Sequence, residues 1–502
     1  MTLDSEKLAT RGLALLIAYA AISSLVRSIG KLFWCDEVIT VGLARLPTLA
    51  AIGDALRHAA DSHPPTFHVL ERIAGRLPFN ELIAFRIPSI LAFCCTLLCI
   101  FLFVQKRRGG LCGLVCAAVP LATILFSTYA AEARGYSLMV GFVALAMVCY
   151  QRADRIAWWA AMGISLAIAV SSHYYAIFGA VVFGLAELSL LVTTRRIRFG
   201  VWFALIFSAL PLIVFWPLLE TYKKNYGAHF SGRLSLDEAL RGYGWLFNLG
   251  PYYGVGLAAA AIATVVIYGL VSKSGASAGD GGEIPIQEHV LVLGFLVLPG
   301  LMLVAIKLVH GGFSPRYLLL TILGFSLAAS YLFSAFDRRL ATLFAVLLFA
   351  SLGTQEAVFW RFESHFLGRN RNPTDEIEKL VAAAGYSDLP VIDSDALNYL
   401  ELAYYASPEL DRRMIFVADV PAAVTYTGSD TVDKCVLALR PYLRLQVYQF
   451  QEFAGSHPEF LVYSDGRAIW DWWPTRLHHD GYALELVAMN GGDRIYRARL
   501  KP

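Results

Sequence analysis

Apolar and polar positions along the chain follow two regimes. Between about residue 10 and residue 355, apolar residues come in nearly unbroken runs close to 20 residues long, parted by short polar stretches. A helix of about 20 apolar residues crosses the roughly 30 Å hydrocarbon layer of a bilayer. Eleven spans are predicted on this basis: 10–29, 84–104, 110–127, 131–150, 156–173, 175–194, 199–218, 254–271, 288–309, 315–334 and 337–355. After Trp360 charged and turn residues return, and the apolar runs become short, as in Leu389-Pro390-Val391-Ile392 and Met414-Ile415-Phe416-Val417. The pattern predicts an α-helical polytopic membrane domain over 1–359 and a soluble α/β domain over 360–502, the latter long enough to bury a core of its own. The first run is not followed by a small-residue cleavage site and reads as a retained signal anchor.

Composition agrees with the pattern. The chain is 57% hydrophobic and 16% charged, against about 45–50% and about 25% in soluble domains. A net charge of +3, scattered along 502 residues, argues against a nucleic-acid partner. The basic residues carry more information through their placement. Lys7, Arg11, Lys106-Arg107-Arg108, Arg152, Arg155, Arg195-Arg196, Arg198, Lys273 and Arg338-Arg339 all fall on one side in the alternation of spans. The positive-inside rule makes that side cytoplasmic. The first loop (30–83), the loop 219–253 and the C-terminal domain are then exoplasmic. Gly275 to Gly282 reads as a flexible cytoplasmic linker.

Polar motifs gather at the exoplasmic ends of the spans. The first loop opens with Phe33-Trp34-Cys35-Asp36-Glu37, in which the aromatic pair reads as an interfacial anchor. Ser62-His63-Pro64-Pro65-Thr66-Phe67-His68 predicts the start of a short interfacial helix, since proline suits a first helical turn. Arg86-Ile87-Pro88-Ser89, Glu132-Ala133-Arg134-Gly135-Tyr136, His173-Tyr174-Tyr175 and Ser314-Pro315-Arg316-Tyr317 follow at span ends. Arg86, Arg134, Lys307 and Arg316 are cations on a face where the orientation rule asks for none. Each could snorkel to lipid headgroups, but four of them near two carboxylates suit a lipid phosphate. Asp36 and Glu37 are alternatively a helix N-terminal cap. Arg134 has Glu132 as an alternative partner and Arg86 has Glu81. Lys223 and Lys224 sit either over a donor or in a solvated loop. Six of the eight cysteines fall within predicted spans, while Cys35 and Cys435 lie outside and could pair in an oxidising compartment. No CxxC or HExxH occurs, so no dedicated zinc site is expected, and a divalent cation on Asp36 or Glu37 stays open.

The order of these elements, from the acidic pair through HPP, RIPS, EARGYSL, HYYA and PRYLL, resembles the GT-C membrane glycosyltransferases of family 39 type. These include protein O-mannosyltransferases and the bacterial enzymes that add aminoarabinose or galacturonic acid to lipid A. The resemblance runs over roughly residues 10–335. It implies a polyprenyl-phosphate-sugar donor used at the outer face, a lipid, glycan or secreted-protein acceptor, and a bacterial inner membrane with the C-terminal domain periplasmic. It aligns Asp36 with the family's first-loop aspartate as the base, with Glu37 as a second carboxylate. Arg134, Arg316, Arg86 and Lys307 become candidate phosphate ligands, and His63, His173, Tyr174 and Tyr317 candidate substrate contacts. The chemistry asks for the same parts: a carboxylate for the acceptor proton, cations for the leaving phosphate and an apolar groove. A lipid-linked sugar flippase is the competing expectation, marked by charged or broken helices in mid-membrane.

Overall fold

The computed structural model describes residues 3–230, 235–273, 284–309, 313–335, 338–358, 361, 374–466 and 471–501. The Gly275–Gly282 linker and the expected domain boundary at 359/360 lie outside them. The chain divides into two compact units. One comprises Met1–Lys31, His63–Trp216 and Leu234–Leu367, and the other Leu32–Ser62, Pro217–Arg233 and Gly368–Pro502. The predicted first loop is therefore shared between them, because Leu32–Ser62 groups with the C-terminal sequence.

The first unit is helical. Among the described residues, five helices are long and apolar enough to cross a membrane: Asp4–Gly30, Glu81–Arg108, Tyr174–Thr194, Pro251–Leu270 and Pro315–Phe333. Three further predicted spans are broken into pairs of helices: Gly110–Ala122 with Ile124–Ala130, bent by 81°, Ile286–Leu296 with Leu298–Leu308, bent by 66°, and Phe199–Val214 followed by Trp216–Tyr226, which passes into the second unit after Trp216. The remaining three appear as shorter apolar helices, Tyr136–Tyr150, Ile156–Ser172 and Thr342–Val358. All eleven apolar runs thus form helix, but not eleven straight rods. At about 1.5 Å per residue, a 15-residue helix such as Tyr136–Tyr150 reaches only about 22 Å. Hydropathy reports where a chain avoids water; it does not report where the chain bends.

Small residues let these helices approach. A Cβ on Gly141 would lie 2.7 Å from the carbonyl oxygen of Ala92, so the Tyr136–Tyr150 helix packs directly on the Ile87–Arg108 backbone. Gly163 meets Ala204 in the same way, with 3.1 Å from its built Cβ to the Ala204 Cα. Packing contact, rather than burial from water, holds helices together in lipid.

The second unit contains a six-stranded sheet in the order β3-β2-β1-β4-β6-β5, where β1 is Val391–Asp393, β2 Met414–Ala418, β3 Val447–Gln449, β4 Glu459–Ser464, β5 Tyr482–Asn490 and β6 Asp493–Leu500. The first four run parallel, and β6 joins β4 and β5 antiparallel. This is the α/β domain that the short apolar runs predict. Alternate residues of β2 feed two cores. Met414, Phe416 and Ala418 face one, and Ile415 and Val417 the other, as the period of two in a strand requires. The first of these cores also takes in Cys35, Ile39, Leu43, Ile52 and Leu56. The segment after the first span is thus part of the domain's own hydrophobic core. The predicted loop 219–253 is largely helical, with Trp216–Tyr226 running into this unit and Leu236–Phe247 in the first. Tyr226 donates to the Ala59 carbonyl at 2.8 Å, and Lys434 to that of Asn225 at 2.7 Å, within the second unit.

Candidate functional site

Four of the sequence motifs converge in the first unit. Pro64 caps and Pro65 starts the Pro65–Ala74 helix, as expected, with Pro64 in the extended region at φ −61° and ψ 151°. Its first turns bury Phe67 and His68, with Glu71 one turn on the same face as His68. His63, just ahead of it, is buried and lies with Nδ1 3.0 Å from the Arg134 guanidinium. A guanidinium can only donate, so Nδ1 accepts.

Arg134 owes its position to two interlocked motifs. Ser89 of RIPS donates to the Arg134 carbonyl at 3.1 Å, and Ser137 of EARGYSL donates back to the Tyr129 carbonyl at 3.0 Å. Between them Gly135 must be glycine. A Cβ there would stand 2.6 Å from the Ser172 carbonyl oxygen and 3.4 Å from His63 Cδ2. Glu132 is buried and ion-paired with Lys31.

His173 breaks the chain between the Ile156–Ser172 helix and the short turn Tyr174–Ala176, with its Nδ1 accepting from the Tyr175 amide at 3.3 Å. That bond leaves its Nε2 carrying the proton in the neutral ring. Ring centroids of His173 and His63 are 5.3 Å apart, of His173 and Tyr136 4.9 Å, and of His173 and Tyr317 5.4 Å. Tyr317 also stacks on Tyr175 at 4.2 Å. Arg316, beside it at the start of Pro315–Leu320, holds its guanidinium 5.7 Å from the Tyr136 ring centre, within cation–π range. His63, Arg134, His173, Arg316 and Tyr317, five residues singled out from sequence, therefore form one cluster. Tyr136 at its centre and Lys31 beside it were not singled out. Tyr136 sits two residues past the EAR triplet, and its contacts with His63, His173 and Arg316 are all long-range.

Other candidates stand elsewhere. Arg86 is fully buried and donates to the Ser28 and Lys31 carbonyls, both at 2.7 Å, which ties down the end of the Leu3–Gly30 helix. Lys307 is exposed in the last turn of Leu298–Val309. Tyr174 is half-buried in the turn after His173. Lys224 pairs with Glu220 at 2.8 Å on an exposed face of the Trp216–Tyr226 helix.

Asp36 and Glu37 belong to the second unit, in the first turn of the Cys35–Ala44 helix. Glu37 is fully buried and accepts from the Trp34 amide at 3.4 Å, the reach-back of a capping carboxylate at the third helical position. Asp36 is half-buried, and its carbonyl accepts from Thr40 at 3.1 Å. The Cys35 amide donates to Glu401 at 2.9 Å and the Phe33 amide to the Tyr405 hydroxyl at 2.6 Å. Phe33 is buried beside the Tyr404 ring. It is a core residue of this unit, which corrects its expected place as a membrane anchor. Cys35 is buried and Cys435 half-buried in this unit. Among the described residues, no group of three or more His, Cys, Asp or Glu side chains is arranged to hold a metal ion.

One cavity lies between the Pro65–Ala74, Ile87–Arg108 and Tyr136–Tyr150 helices. It has a volume of about 370 Å³ and is lined by Leu70, Ile73, Leu77, Leu91, Leu138 and Phe142, with Ile87 and Pro88 next to Arg86. Its lining is apolar throughout.

Residues 62–220 match the family model described as dolichyl-phosphate-mannose-protein mannosyltransferase. That segment holds four of the six motifs, and the match is to a family of glycosyltransferases, the enzyme class that the motif order implies. No curated protein matches the chain. Among solved structures, it is similar to ArnT from Cupriavidus metallidurans bound to undecaprenyl phosphate. There the identity is 12%, with 96% of this chain and 97% of that one covered and a TM-score of 0.46. The apo oligosaccharyltransferase of Archaeoglobus fulgidus aligns at 11% identity over 90% and 69% of the two chains, with a TM-score of 0.48. The S. cerevisiae Pmt1-Pmt2 complex bound to the sugar donor aligns at 17% over 42% and 32%, with a TM-score of 0.30. At these values the likenesses decide nothing by themselves.

Proposed function

We propose that this chain is an inverting glycosyltransferase moving a sugar from a polyprenyl-phosphate-sugar donor to an envelope lipid, glycan or secreted-protein acceptor at the exoplasmic face. The observation that carries the proposal is the convergence of His63, Arg134, His173, Arg316 and Tyr317 on one cluster in the unit that contains the matched glycosyltransferase segment. The donor type, a sugar on a polyprenyl phosphate, follows from the matched family, the dolichyl-phosphate-mannose-protein mannosyltransferases.

The parts fit that chemistry. The donor's C1–O bond to phosphate breaks, the acceptor oxygen bonds to C1 from the opposite face, and the acceptor proton passes to a base. Phosphate leaves without a proton, so one carboxylate suffices. The resemblance to the family's first-loop aspartate makes Asp36 this base, and Glu37 holds the start of its helix. Arg134 and Arg316 meet the charge that grows on the leaving phosphate, and burial strengthens that interaction. His63 accepts from Arg134 and so orients the fork. Arg86 acts as a positioning residue, because its Nη1 holds the Ser28 and Lys31 backbone carbonyls. The apolar cavity beside Pro88 takes the first isoprene units. Lys106, Arg107 and Arg108 end the helix that starts next to Arg86, which supports an exoplasmic placement of the cluster.

The three broken helix pairs are a feature that a flippase would share. Transfer decides between the two. Membranes carrying the full chain are supplied with labelled polyprenyl-phosphate sugars, and wild type is compared with Asp36→Asn. Loss of a general base should slow transfer by about 10²–10⁴-fold. A mutant at the wild-type rate would remove Asp36 from the mechanism, and transbilayer movement of donor without transfer would favour the flippase.

A further inference from the structure

The helices that begin beside Arg86 and Arg134 carry a second polar constellation at their other ends. The Ile87–Arg108 helix has 22 residues, about 33 Å at 1.5 Å each, so Arg107 lies a membrane's depth from Arg86. The Tyr136–Tyr150 helix ends beside it with Tyr150 and Gln151. Here a cavity of about 190 Å³ is lined by Arg107, Gln151, Asp154, Arg196, Arg198 and Glu288.

Two ion pairs frame this cavity. Arg107 grips both oxygens of Glu288, with Nη2 at 2.6 Å from one and Nε at 3.2 Å from the other. Arg198 pairs with Glu187, which also accepts from the Tyr150 hydroxyl at 2.7 Å, and the guanidinium lies 4.6 Å from the Tyr150 ring centre. These pairs neutralise each other, so they shape the walls. What remains is mixed in sign. Arg196 and Asp154 are exposed, and neither side chain has a hydrogen bond or ion pair among the described residues. The Gln151 amide nitrogen donates to the Phe103 carbonyl at 3.1 Å. Its Oε1 is buried and accepts no hydrogen bond among the described residues, a position that asks for a donor from outside.

The rim adds a third property. Val192, Ile197 and Phe199, which flank Arg196 and Arg198 in the chain, are 68%, 48% and 77% exposed. An exposed cation, an exposed anion that feels Lys106 and Arg198 without bonding either, an unmet buried acceptor and an apolar rim together call for one ligand. It needs a phosphodiester, an N–H-bearing ammonium and hydrocarbon. A simple anion would leave Asp154 and Gln151 unmatched, and a quaternary ammonium has no N–H to give. We infer that this cavity binds the headgroup of an amine-bearing phospholipid of the leaflet at the basic-loop end. Its phosphate lies on Arg196 and its ammonium on Asp154 and Gln151. This assignment is independent of the transfer chemistry proposed above.

Native mass spectrometry of the purified full chain tests it, with phosphatidylethanolamine, phosphatidylcholine or phosphatidylglycerol supplied at equal concentration. Phosphatidylethanolamine should be retained about tenfold over the other two, a difference of one decade in affinity. Arg196→Gln with Asp154→Asn should bring it down to the phosphatidylcholine level and leave glycosyl transfer unchanged. Equal retention of the three lipids, or full retention by the double variant, overturns the site. Soluble phosphoethanolamine that displaces the lipid at equal concentration would overturn the lipid as ligand.

Discussion

Arg134 is the residue on which the proposed chemistry leans most, and its burial explains why. A buried guanidinium costs heavily unless its donors are used, and here His63 takes one while Ser89 and Gly135 fix the backbone beneath. Arg134→Ala should lower kcat by about 10²–10³-fold, the loss found when one preorganised donor is removed. Arg134→Lys keeps the charge but not the fork, and should recover part of that loss; a steady-state comparison of the three proteins measures it. Full activity in Arg134→Ala would assign the phosphate to Arg316. At this scale much was legible in the sequence. Cations on a face that asks for none, and His-Pro-Pro before an apolar run, stand out without coordinates. Tyr136 did not, because an aromatic at the start of an apolar span is ordinary until its neighbours are seen.

Elements were legible as lengths of apolar sequence and illegible as shapes. Each predicted span forms helix, yet three are broken and three are short, since hydropathy has no term for a bend. Helix contacts were equally hidden. Gly141 reads as one glycine among 40, and only packing shows that its missing Cβ admits the Ala92 carbonyl. Gly141→Val should therefore force the two helices apart and destabilise the first unit by about 1–3 kcal/mol, as overpacking does. Gly184→Ala, where a Cβ meets nothing within 4 Å, should leave the melting temperature level or raise it slightly, as alanine favours helix. Thermal unfolding in a single detergent compares them. Equal melting temperatures for the two variants would mean that the Gly141 contact is loose.

At the scale of the whole molecule, the second unit carries a testable titration. Asp433 is buried and accepts from the Asp419 amide at 3.1 Å. Burial, aided by the Asp419 and Asp430 carboxylates, pushes its carboxyl up to about 7. A folded-state value above the unfolded one means that the folded form holds the extra proton. The stabilisation is then complete below about 4 and is lost as pH rises through about 7. Asp433→Asn should flatten that slope, which unfolding of the full chain between pH 4 and 8 would reveal; an unchanged slope would place the titration elsewhere. The sequence by itself determined the membrane class, the eleven apolar helices, the α/β texture after Trp360 and most of the clustered polar residues. These depend on local composition, spacing and charge, which a linear chain displays. Only the tertiary structure decided that Leu32–Ser62 shares a core with the C-terminal sheet. It also decided that Glu37 caps a helix, that Arg86 holds backbone carbonyls and that Phe33 is buried. Phe33 and the shared core depend on partners hundreds of residues away and Arg86 on carbonyls of the preceding helix end, positions that no local pattern carries, while the Glu37 cap is local and was one of two readings until the fold chose it.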